Sequence, residues 1–158
     1  MGTTAARIDS PSGRELLKLA FVRPSRPFDT LALMATAGAQ RIDHVAVIVT
    51  DVDRSRAFYS GVLGLREVPR PQSFDFPGAW FEIGPTFLHL LGKPEPDPQG
   101  PRHFCLWVSD LRAAAARLEA ARFRVEWKTN HKIPGIDRFF THDPDGNRIE
   151  FQGPELNS

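Results

Sequence analysis

The chain has 158 residues, 41% of them hydrophobic and 25% charged, which suits one compact domain or two small modules sharing a core. Its net charge of +1 gives no electrostatic reason to expect a nucleic acid or an anionic membrane as partner, and no run approaches the roughly 18 apolar residues of a spanning helix. The single cysteine, Cys105, excludes an intrachain disulfide and suits a reducing compartment; with no CxxC pair, any metal must be held by His and carboxylate.

Residues 1–40 are unlike the rest. Pro11, Pro24 and Pro27 punctuate them, and Arg14–Phe21 has the pattern of a short helix. Ala37-Gly38-Ala39 resembles a signal-peptidase site, but the apolar stretch before it is short and Asp29 adjoins it. A disordered extension is expected, with Met34 as an alternative start. From Arg41 the chain becomes regular. Ile42–Val49 is rich in β-branched residues and reads as a strand. Asp51 then caps a helix to about Leu63 that buries Val52, Phe58, Tyr59, Val62 and Leu63, and Gly64 suits its exit. Leu65–Val68 is a strand, and Trp80–Ile83 and Thr86–Leu91 form a hairpin about Gly84-Pro85. Residues 41–92 therefore form a first βαβββ module.

Residues 93–101 hold four prolines and read as a stiff linker. Residues 102–153 repeat the order, leaving 154–158 as a tail. His103–Val108 is a strand, and Asp110 caps a helix with Leu111, Ala114, Ala115, Leu118 and Ala121 at helical spacing. Phe123–Trp127 returns as a strand and Lys128–Ile136 is a polar loop. Arg138–His142 and Arg148–Gln152 form a hairpin around Asp143-Pro144-Asp145-Gly146, where Pro144 presets φ and Gly146 accepts a positive φ.

The duplication has a chemical signature. His44 precedes Asp51 by seven residues, as His103 precedes Asp110, and both members recur 59 residues on. His89 and Glu150 fall in matching late strands, each followed by a glycine (Gly92, Gly153), 61 residues apart. Three imidazoles and a carboxylate at corresponding points of a repeated unit read as metal ligands. Along the strands His44, Ala46 and Ile48 share a face, as do His103, Cys105 and Trp107, so the small Ala46 and Cys105 leave room beside the imidazoles. Glu150 shares a polar face with Arg148 and Gln152. The fold class expected is α+β: two tandem βαβββ modules forming a curved half-barrel sheet around a metal site.

The segments IDHVAVIVTDVDRSRAFYSGVLGL (42–65), HFCLWVSDL (103–111) and FFTHDPDGNRIEF (139–151) resemble the vicinal oxygen chelate superfamily, which includes glyoxalase I, methylmalonyl-CoA epimerase, extradiol dioxygenases, fosfomycin-modifying enzymes and bleomycin-binding proteins. The resemblance implies that His44, His103 and Glu150 hold a divalent cation with positions left open for two substrate oxygens. The fourth family position falls on His89, where glyoxalase I usually has Glu; His89 reads as fourth ligand, general base or pocket residue. A neutral ligand there favours Ni, Zn, Fe, Mn or Co over Mg. Glu150 is the implied base, and Arg138 and Trp107 are candidate contacts to a small-molecule substrate; a surface Arg and a core-filling Trp are the plainer alternatives. Cys105 is expected to be a small buried residue, and His131 either solvated or closing over substrate.

The activity implied is that of a cytoplasmic glyoxalase-type lyase or isomerase working by metal-assisted proton abstraction. An extradiol-like Fe(II) dioxygenase needs a pocket His and Tyr, and the only tyrosine, Tyr59, sits on a helix. A bleomycin-type drug-binding protein is the non-enzymatic alternative. A homodimer is expected, and the His44/His89 and His103/Glu150 pairs either meet within one chain or belong to different subunits.

Overall fold

A computed structural model describes residues 39–156; the expected extension over 1–40 lies almost wholly outside them. The element order is β1 (His44–Val49), α1 (Val52–Arg56) continuing as a π-helical segment (Ala57–Val62), β2 (Arg66–Val68), β3 (Gly78–Ile83), β4 (Thr86–Gly92), β5 (Phe104–Trp107), α2 (Leu111–Ala120), β6 (Glu126–Trp127), β7 (Ile136–His142) and β8 (Arg148–Pro154). Two four-stranded mixed sheets result, ordered β1-β4-β3-β2 and β5-β8-β7-β6, with the first and last strands of each module parallel and the others antiparallel. These are the two curved, unclosed βαβββ modules of the expected fold class.

The repeat extends to backbone detail. Asp51 accepts from the Arg54 amide at 3.0 Å and Asp110 from the Ala113 amide at 2.9 Å. The two caps share nearly the same extended conformation, φ −135° and −134°. Opposite residues correspond as well: Ala46 faces His89 as Cys105 faces Glu150.

One core serves both modules. Val47, Val49, Phe81, Leu88 and Leu90 of the first sheet pack in the same cluster as Leu106, Phe139, Ile149 and Phe151 of the second, with Phe58, Tyr59, Leu111 and Leu118 from the helices. The alternate residues, including His44, His89, Cys105 and Trp107, lie on the opposite, more open faces. The modules are clasped where the first helix meets the β7–β8 turn. The Tyr59 hydroxyl donates to Asp143 Oδ2 at 2.8 Å, Arg54 Nη2 pairs with Asp145 Oδ1 at 2.7 Å, and Asn147 Nδ2 donates to the Ile48 carbonyl at 2.8 Å. Gly146 has the expected positive φ, 87°.

Three expectations are adjusted. The first helix turns π-helical, with Leu63 N–H donating to the Phe58 carbonyl; the wider turn brings the adjacent Phe58 and Tyr59 both into the core. The strand expected over Phe123–Trp127 keeps only Glu126–Trp127, because Arg122 (φ 65°) and Phe123 are used to close helix α2. The loop over 128–136 contains a tight turn, with Ile136 N–H donating to the Ile133 carbonyl across Gly135 at φ 75°.

Candidate functional site

The open face of the first sheet carries a stack of rings. Trp80 lies opposite His89, and their rings are parallel within 8° at 4.1 Å; His44 covers the other side of His89 at 4.4 Å and 15°. His89 is thus pinned between Trp80 and His44. Partial burial, then the His44 and Arg70 charges, lower its pKa against the opposing pull of Asp43. It therefore presents a neutral imidazole at physiological pH. His44, at the start of β1, has Asp43 Oδ2 3.5 Å from Nδ1, an ion pair only when the ring is protonated.

The second sheet carries the equivalent pair. His103 Nδ1 lies 2.9 Å from the Pro101 carbonyl, which can only accept, so that nitrogen donates. Nε2 then faces Glu150 Oε2 at 2.8 Å. A neutral ring with Nδ1–H has a lone pair at Nε2, so imidazole and carboxylate oppose two electron-pair donors and require a shared proton or a cation between them. Glu150 Oε1 accepts from Arg138 Nη1 at 3.1 Å and from Gln152 Nε2 at 3.2 Å. Burial acts to raise the Glu150 pKa, but the hydrogen bonds from Gln152, Arg138 and His103 outweigh it and hold the carboxyl below the ordinary range. Arg138 is itself oriented by the His131 carbonyl at 2.9 Å, which gives His131 a backbone role.

Each module therefore brings two of the four expected ligands together. Among the described residues no group of three or more His, Cys, Asp or Glu side chains is placed to hold one cation. Cys105 differs from expectation: it is exposed on the open face rather than buried, because β5 turns its alternate residues Phe104 and Leu106 inward. Partial burial of its sulfur and the nearby Glu150 charge push the thiol up to about 11, so it is un-ionised at neutral pH. Trp107, two residues on, is 59% exposed beside Gln152. Sequence reasoning did not single out Gln152 as a donor to Glu150, nor the Pro101 carbonyl that fixes His103. The polar face shared with Glu150 was a signal for the first, and nothing in the sequence announces the second.

Residues 41–151 match the sequence pattern of the Glyoxalase/Bleomycin resistance protein/Dioxygenase superfamily. The chain belongs to that superfamily. A protein named Glyoxylase I 4 from Arabidopsis thaliana is 31% identical over 120 residues, covering 69% of this chain and 68% of that protein. The crystal structure of a glyoxalase family protein from Bacillus anthracis superposes with a TM-score of 0.69 at 29% identity, covering 76% of this chain and 99% of the other. A variant of the fosfomycin resistance protein FosX from Listeria monocytogenes, crystallised with Mn(II) and 1S,2S-dihydroxypropylphosphonic acid, gives a TM-score of 0.66 at 13% identity. It covers 75% and 95% of the two chains, a likeness of fold alone.

Proposed function

We propose that this superfamily member is a metal-dependent, glyoxalase-type lyase or isomerase of the cytoplasm that acts on a small molecule with two neighbouring oxygens. One divalent cation, of the Ni, Zn, Fe, Mn or Co group, would be held by His44 and His89 of one subunit and His103 and Glu150 of the other subunit of a homodimer. The observation that carries this reading is the His103–Glu150 clasp: Nε2 and Oε2 stand 2.8 Å apart, close enough to share one cation, with the outer ring nitrogen already committed to a backbone carbonyl. That outer contact is what a metal-bound histidine ordinarily has. Confinement of each pair to its own sheet favours assembly across a two-fold axis over assembly within one chain.

When bound, the cation would serve as a Lewis acid that makes the C–H beside a carbonyl acidic. Glu150 is the proton acceptor. Its depressed pKa keeps it ionised throughout the physiological range, and Arg138 and Gln152 hold Oε1 while Oε2 stands against His103 Nε2. Trp80 fixes the plane of His89, so that ring reaches the site without rearrangement. Trp107 supplies an apolar wall. Tyr59 is fully buried and bonded to Asp143, so no phenol serves the open faces, which favours proton transfer over extradiol oxygen insertion.

Elemental analysis of the purified protein, followed by assay with methylglyoxal and glutathione before and after chelation, tests the reading. The expected result is about one ion per chain and activity lost on chelation and restored on reloading. A protein that takes up no divalent metal, or one that binds bleomycin equally well after exhaustive chelation, contradicts it.

A further inference from the structure

The loop between β2 and β3 places an unsatisfied cationic fork beside the first ring stack. Arg70 Nε and Nη2 are buried and have no hydrogen-bond partner. These two atoms carry the N–H groups that point the same way along one edge of the guanidinium, the edge that grips two adjacent oxygens. The carbon of the group lies 5.0 Å from the centre of Phe74 and 4.6 Å from that of Phe76, and Lys93 Nζ is 5.4 Å from the Phe76 ring. Gly78 lies against the same group: a Cβ there would clash with the Leu90 carbonyl oxygen and would touch Arg70 Nε and Cζ at an ordinary 3.5 Å. Phe74 also meets the edge of Trp80 at 5.5 Å, and Trp80 stacks on His89. The fork therefore stands at one end of an aromatic strip whose other end is the His89–His44 pair.

A buried cation that spends two donors on nothing is unfavourable unless an acceptor arrives. Aromatic faces satisfy its charge in part but accept neither N–H along the fork edge. We propose that Arg70 is a receptor for a carboxylate on the substrate, and that the substrate is a small oxo acid: its neighbouring oxygens lie at the metal end and its second carboxylate reaches the Arg70 fork. The proposal deepens the proposed function and rests on its reading of the open face as the substrate site. Lys93 adds positive potential beside the group, and Phe74, packed on its face, is 40% exposed.

The test is calorimetric titration of the full-length protein, first after chelation and then reloaded with Ni(II), using 2-oxoglutarate, its dimethyl ester and inorganic phosphate. The acid should bind the chelated protein and the ester should not. Arg70→Lys, which keeps the charge and loses the fork, should weaken binding roughly tenfold, and Arg70→Gln further. Equal binding of acid and ester, no binding of either, or an Arg70→Gln protein indistinguishable from wild type overturns the receptor. Phosphate binding more tightly than the acid overturns the carboxylate assignment. The metal reading fails separately: in that case Ni(II) uptake is absent while Arg70-dependent binding of the acid persists.

Discussion

Glu150 is among the least exposed charged side chains of the described residues, yet it lies on the face that the other site residues share. Its three partners explain how: His103, Arg138 and Gln152 replace the water it gives up. The same logic makes it sensitive. Replacing Glu150 or His44 by alanine should remove bound metal, read by elemental analysis of the purified variants; stoichiometric metal in both would refute the ligand assignment. Asp145 shows residue-scale electrostatics away from the site. Burial acts to raise its pKa, but Thr50 and Arg54 outweigh it and lower the value from the ordinary 3.8. Since the folded value lies below the unfolded one, its stabilisation is whole at pH above 3.8 and is lost as pH falls through the depressed value. Asp145→Asn should destabilise the protein by about 1–3 kcal/mol at neutral pH. In urea unfolding, that gap should close as the medium is acidified below the ordinary aspartate value; a gap constant with pH would show that the carboxylate charge is not its source.

Element by element, the sequence was informative where periodicity and punctuation agree. Both Asp caps, the Gly84 hairpin and the Asp143–Gly146 turn lie where residue chemistry places them. The π-helical segment was not legible, because Phe58, Tyr59, Val62 and Leu63 fit an α-helical face nearly as well as the wider turn. Nor was the shortening of β6. Its cause is the end of α2, where Arg122 N–H donates to the Glu119 carbonyl and Phe123 N–H to the Leu118 carbonyl, a closure normally built on glycine. Arg122 holds φ 65° with a side chain that costs about 1 kcal/mol in that region. Arg122→Gly should therefore raise the melting temperature by a few degrees, seen by circular dichroism or calorimetry. An unchanged or lowered value would mean that the extra freedom of glycine in the unfolded chain cancels the relief.

At the scale of the whole molecule, the duplication was readable from the 59-residue offset and the superfamily from the motifs around it. The direction in which the two open faces point was not, because it depends on how the modules clasp through Tyr59–Asp143, Arg54–Asp145 and Asn147–Ile48, contacts between residues distant in sequence. That clasp buries one face of each sheet in a shared core and leaves the His44–His89 and His103–Glu150 pairs apart, with no third His, Cys, Asp or Glu side chain among the described residues placed to join either of them about one cation. In the homodimer proposed above, a second copy would supply the other pair by symmetry. Subunit complementation measures this directly. One variant carries His44→Ala and His89→Ala, and the other carries His103→Ala and Glu150→Ala. Neither should bind metal alone. In an equal mixture allowed to exchange subunits, half the dimers are mixed and each regains one intact site, so metal content should recover to roughly one quarter of wild type. A mixture that has demonstrably exchanged subunits and still holds no metal would contradict the shared centre.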